Sequence, residues 1–339
     1  MSLGSRFYRQ KGRVTMDENE LMGSMKVSKA VAKMAIPSVI SSLVTVVYNM
    51  ADTFFVGQTG DPLQVAAVSL TNPIFILFMA FANMFGMGGS AAASMALGEK
   101  KEKRVKQVSS FITYASLIVG IVFAAILLVG MQPVLQLFGA DADTYELAKG
   151  YTTYISYGAP FIIWSAAASF VVRADGASRE AMTGSMIGTV ANIILDPIFI
   201  SGFGMGAAGA AIATTIGNIM ASVYYLWYFC RKSRNMSMAF RYFKCGDRIL
   251  SQVCSAGLPT AIFSALMSIS TIILNQILVA YGNAPVAAIG IVFKANMFIT
   301  FLQMGLANGV QPLLGYSYGA GNRERFIAVE RYTKKCCLI

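Results

Sequence analysis

Eight apolar runs separated by short polar connections set the pattern of this chain: 31–57, 64–96, 108–131, 147–172, 181–203, 209–229, 249–280 and 286–318. A hydrocarbon core of about 30 Å is crossed by about 20 helical residues, so each run is long enough to span a bilayer. None alternates with a period of two, which predicts helices rather than barrel strands. Pro37, Pro73, Pro160, Pro197, Pro259 and Pro312 fall inside the runs. In water they would break helices, whereas in a membrane neighbouring helices support the kink. The pattern divides the chain into a polar, flexible tail at 1–30, a complete six-helix lobe at 31–232 and a linker at 233–248. The start of a second lobe, with two helices, follows at 249–339.

Composition agrees with this reading. The chain is 56% hydrophobic and 13% charged, against about 25% charged in a soluble domain. The fold class is therefore all-α, a polytopic membrane protein. A net charge of +11 raises nucleic acid as a partner, but that requires a basic face on a soluble domain, and here the charge is confined to connections. Seven basic residues precede or include Lys33, five lie in 100–106, Arg173 and Arg179 flank one connection, six lie in 231–248, and five follow from Arg323 onward. These are alternate connections, all on one side. By the positive-inside rule the N terminus and the basic loops are cytoplasmic, in the cell inner (plasma) membrane.

The chain repeats itself at an offset of about 221 residues. Val65-Ala66-Ala67 recurs as Val286-Ala287-Ala288, Gly88 as Gly309, Gly98 as Gly319 and Arg104 as Arg325; with one residue of slippage Pro37 falls on Pro259. Six helices lie between the copies, so both enter from the same side, the parallel type of repeat.

Two carboxylates interrupt the apolar runs, and a charge in hydrocarbon costs about 2.5–3.5 kcal/mol even on lenient scales, so Asp52 and Asp196 require a reason. Tyr48 precedes Asp52 by one helical turn and Asn192 precedes Asp196 by one turn, each on the same face. Thr214 lies in the first turns of the sixth run, at the same outer level. Two acids close together in a dry site can exchange a proton for a cation, so Asp52, Asp196, Asn192, Thr214 and Tyr48 are the expected coupling-ion site, with H+ or Na+ as the ion. Sodium near Asp52 and Asp196 is the single metal this set suggests, and no organic cofactor is expected. Lys294, well inside the eighth run, is expected to point into a central cavity or pair with a carboxylate, and is the only cation expected to be buried. Histidine is absent from the sequence, so a relay must use carboxylate, tyrosine or water.

Other patterns carry less. Gly204-Met205-Gly206-Ala207-Ala208-Gly209 spells a dinucleotide fingerprint, yet no strand precedes it, which makes it an external turn. Gly86, Gly88 and Gly89 are expected to form a close-packing helix face. Some of Met50, Met79, Met87, Phe78, Tyr157 and Trp164 are candidates to line a drug cavity. With no metal-ligand spacing, no histidine and no sizeable soluble domain, an enzyme is not expected.

Four segments in order resemble the multidrug and toxic compound extrusion transporters: 48–57 (Tyr48-Asn49-Met50-Ala51-Asp52), 192–199 (Asn192-Ile193-Ile194-Leu195-Asp196-Pro197), 206–214 and 309–320. The resemblance implies twelve helices in two six-helix lobes around a cavity. It also implies export of organic cations in exchange for protons or sodium by alternating access, with cation binding in the first lobe. Against that pattern this sequence holds eight helices, so it is expected to be a copy truncated within its second lobe. The nearest alternative is a flippase for lipid-linked saccharides of related fold, which calls for a strongly basic cavity; the other is a fragment that does not transport. The expected partners are cationic small molecules and the lipid bilayer; the oligomeric state is left open.

Overall fold

A computed structural model describes residues 20–338, apart from 59, 234, 245, 247 and 280–282. Side chains at 53, 62 and many positions from 264 to 295, Lys294 among them, fall outside the description. Among the described residues the chain is helical, in the order α1 (Val27–Gly57), α2 (Pro62–Gly98), α3 (Glu102–Val129), α4 (Met131–Leu137), α5 (Ala142–Ala174), α6 (Ser178–Pro197), α7 (Gly206–Arg231), α8 (Ile249–Val279), α9 (Asn283–Gly319) and α10 (Arg323–Cys337). Six helices among the described residues are long and apolar enough to cross a bilayer, the fifth being α6 with the turn that follows it. The eight expected runs coincide with α1, α2, α3, α5, α6, α7, α8 and α9. Most of these extend beyond their run, because polar end residues continue a helix past the hydrocarbon where hydropathy has already fallen.

The centre of the first six-helix group is α5, which packs against α2, α3 and α7, while α6 bridges α7 and α1. Its start is fixed by a capping box in which Asp141 Oδ1 accepts from the Thr144 peptide N–H at 2.9 Å and Thr144 Oγ1 accepts from the Asp141 N–H at 3.1 Å. The expected glycine face is present: a Cβ on Gly86 would meet Phe170, one on Gly89 would meet Ile112, and one on Gly88 would lie 2.0 Å from Val253 O. Helices in lipid gain no hydrophobic driving force from each other, and such small residues allow the close backbone approach that does hold them.

The crossings obey the repeat. Gly88 and Gly257 hold α2 against α8, a Cβ on the latter lying 2.0 Å from Met84 O. Gly309, the equivalent of Gly88, holds α9 against α1, with its Cβ position 2.6 Å from Ala35 Cα. The equivalents Gly98 and Gly319 meet where α2 crosses α9, at 2.2 Å from Tyr316 O and 2.1 Å from Met95 O. Reciprocal contacts of this kind are what an axis along the membrane normal generates.

Two expectations change at the ends. The second lobe was expected to hold two helices, and a further one follows them: α10 begins 221 residues after α3 begins at Glu102, so it stands where the repeat places the third helix of the second copy. Residues 20–30 are not flexible. Leu21 and Met22 are buried against Val310, Leu313 and Val329, and Arg325 donates to the carbonyls of Met22 (2.9 Å), Met25 (2.8 Å) and Leu21 (3.1 Å). Its repeat equivalent Arg104 reaches Gln252 Oε1 at 2.8 Å, near the start of α8. The segment after α7 is also held in place, since Ser109, Ser110 and Tyr114 of α3 donate to the carbonyls of Ser237, Ala239 and Met238.

Candidate functional site

Helix α6 ends at Pro197, whose ring carries no N–H, and the chain continues as a wider π turn over Ile198–Gly202. Asp196, at 0% exposure, lies at this change of winding. After the turn, Gly204 and Gly206 take left-handed backbone angles (φ +64° and +55°) that reverse the chain into α7. Of the glycine-rich stretch, 204–205 form a turn as expected while 206–209 already open α7, and the reversal brings Thr214 beside Asn192.

Asn192 Nδ2 and Thr214 Oγ1 lie 3.1 Å apart. The amide is best satisfied turned over, with its nitrogen donating to Asp196 Oδ2 at 3.0 Å and its oxygen accepting from Thr214 Oγ1 at 3.1 Å and from the Thr214 peptide N–H at 2.9 Å. Tyr48 Oη lies 3.4 Å from Thr214 Oγ1. With the amide so turned, the donors align in one direction: the Tyr48 hydroxyl to Thr214, the Thr214 hydroxyl to Asn192, and the Asn192 amide to Asp196. Asp196 Oδ1 is buried with no hydrogen-bond partner, so one acceptor is left for a proton or a cation.

Asp52 lies one turn beyond Tyr48 on α1, half-buried, and close enough to Asp196 for their charges to interact. The structure thus brings together Tyr48, Asp52, Asn192, Asp196 and Thr214. It adds Tyr151 of α5, which lies within electrostatic range of both acids and packs beside Val56, Ile200 and Ala210. A tyrosine in an apolar run gave no sequence signal of its own.

A cavity of about 530 Å³ opens beside this cluster, and Tyr48, Asn192 and Thr214 belong both to the cluster and to the cavity wall. Phe75, Met79 and Phe170 supply apolar wall, and α9 contributes Phe301, Met304 and Asn308. Of the six candidate lining residues, Met79 alone faces the cavity; Phe78 and Trp164 are buried in the helix-packing core, and Met50 and Tyr157 lie exposed. The expectation that Lys294 is the only buried cation is corrected by Arg173, which is 7% exposed and lines the cavity. Read as a loop residue, Arg173 belongs to α5, which runs on to Ala174; the absence of any helix breaker between Val172 and Gly176 was the available signal.

The MatE family profile matches residues 37–198 and 259–335, more than half of the chain. The chain belongs to the MATE family. Multidrug export protein MepA of Staphylococcus saprophyticus is 35% identical over 292 residues, covering 86% of this chain and 65% of that protein. MepA of Staphylococcus aureus strain NCTC 8325 is 33% identical over 294 residues, covering 87% and 65%. A MATE crystal structure in the straight conformation matches with a TM-score of 0.89 at 28% identity, over 94% of this chain and 71% of that one. The chain spans about two thirds of the length of the curated relatives it matches. Asp52, Asn192, Asp196 and Arg173 all fall within the MATE-matched residues.

Proposed function

We propose that this chain is the first lobe and part of the second lobe of an ion-coupled multidrug exporter that moves organic cations out through a plasma membrane, with its N terminus and basic loops cytoplasmic. One observation carries this reading: Tyr48, Asn192 and Thr214 are shared between the buried acid cluster and the wall of a largely apolar cavity. A change at the acids therefore reaches bound substrate through one hydrogen-bonded step.

The donor set is all oxygen, with Asp196 Oδ1 unpartnered. It suits a proton, or a hard cation such as sodium held by Asp196, Asp52 and the Thr214 hydroxyl. An ionised Asp196 accepts strongly from the Asn192 nitrogen, whereas protonation at the unpartnered Oδ1 removes the charge and weakens that bond. Protonation thus loosens the hydrogen-bonded set that Tyr48, Asn192 and Thr214 present to the cavity. Coupling requires such a differential interaction between the two states of the site.

The test is ethidium efflux from pump-deficient cells expressing this chain or its Asp52→Asn and Asp196→Asn variants, each expressed to the same level. Ion-driven efflux that both variants lose supports the reading; efflux that survives Asp196→Asn at full rate overturns it.

A further inference from the structure

Among the described residues that line the cavity, Arg173 alone carries a charge. Arg173 is 7% exposed; its guanidinium stands 5.2 Å from the Phe170 ring centre and has a buried Nε with no hydrogen-bond partner. A buried, uncompensated cation is among the most costly groups a protein can hold, so its partner should be sought among the neighbouring acids. Those acids are occupied. Asp175 accepts from Tyr228, Ser233 and Asn235 at 2.8, 2.7 and 3.1 Å. Glu180 is engaged by Tyr224 and Lys232. Asp52 and Asp196 lie toward the outer ends of α1 and α6, beyond Tyr48 and Asn192, whereas Arg173 is at the end of α5 beside the 175–177 connection. The Tyr225 hydroxyl, also in the wall, is already directed at Ala181 O at 2.8 Å.

We infer that the guanidinium of Arg173 is a carboxylate-binding subsite of the cavity, so that the preferred substrates are zwitterions whose carboxylate meets Arg173 while their cationic, aromatic part lies toward Phe75, Met79 and Tyr48. The planar fork of arginine suits two parallel bonds to one carboxylate, and such bonds are about twice as strong as neutral ones. Bound substrate would then supply the counter-charge that the protein withholds. This rests on the assignment of the cavity as the substrate site, and names the class of compound it favours.

The experiment compares binding of two fluorescent dyes to the purified chain by anisotropy: a rhodamine with a free benzoate, and the methyl ester of the same dye. The expected result is binding of the benzoate about tenfold tighter than the ester. Arg173→Gln should remove the preference for the benzoate over the ester, and Arg173→Lys should keep part of it. Equal affinity of wild type for the two dyes would overturn the subsite while leaving the cavity assignment intact, as would a preference that persists in Arg173→Gln. If neither dye binds, the cavity assignment fails and the subsite with it. Because the wild-type comparison needs no variant, the outcome does not depend on how well Arg173→Gln folds.

Discussion

Thr214 is hydrogen-bonded to Asn192 across the α6–α7 interface, at 3.1 Å, and the same hydroxyl lies 3.4 Å from Tyr48 of α1. One small side chain therefore ties three helices around Asp196. Thr214→Val keeps the shape and removes the hydroxyl, leaving buried polar neighbours unmatched at a cost of about 1–3 kcal/mol. Thermal unfolding of the purified chain should show Thr214→Val clearly below wild type and Thr214→Ser close to it. Equal stability of the valine variant would mean that the hydroxyl joins nothing.

Asp175, in the connection between α5 and α6, is held above the ordinary carboxylate range by burial, against the opposing hydrogen bonds of Ser233, Tyr228 and Asn235. The folded chain therefore binds this proton more tightly than the unfolded one. The site's contribution to stability is complete below the ordinary carboxylate pKa and is lost as pH rises through the folded value. Relative to Asp175→Asn, which does not titrate, wild type should lose stability from acid toward neutral pH, measured by thermal unfolding across that range. A pH-independent difference between the two would contradict the assignment.

Gly257 touches the backbone of α2 so closely that an added Cβ would lie 2.0 Å from Met84 O. Gly257→Ala should force α8 away from α2 and destabilise by about 1–3 kcal/mol. Gly57→Ala is the control, since no atom lies within 4 Å of a Cβ there. The check is the unfolding temperature of each variant in the same detergent, with loss expected for Gly257→Ala alone.

Arg325 donates to three carbonyls of residues 21–25. Arg325→Ala should free the segment ahead of α1 at a local cost of about 2 kcal/mol, read as faster protease cleavage there with little change at α5. Unchanged cleavage would show that the apolar contacts of Leu21 and Met22 suffice without the arginine.

Much of this was legible in the sequence, and the reasons are physical. Bilayer thickness forces long apolar helices, so their number and order followed from run length, and a one-turn spacing paired Asn192 with Asp196 before any coordinates. Arg173 was not legible as a cavity residue, because hydropathy falls before a helix ends and a basic residue at that edge resembles a loop. Helix α10 was missed for the same reason: Arg323, Glu324 and Arg325 make its start polar, although the 221-residue offset from Glu102 marked it. Tyr151 joined the site through packing of α5 against its neighbours, which no local pattern records.

The central claim is that Asp196 communicates with the cavity through Asn192 and Thr214. Its most direct test is ethidium binding to the purified chain, followed by fluorescence across acid to neutral pH, for wild type and Asp196→Asn. The account predicts that wild-type affinity weakens as pH falls and that the variant is insensitive to pH over that range. The same pH dependence in both proteins would contradict it.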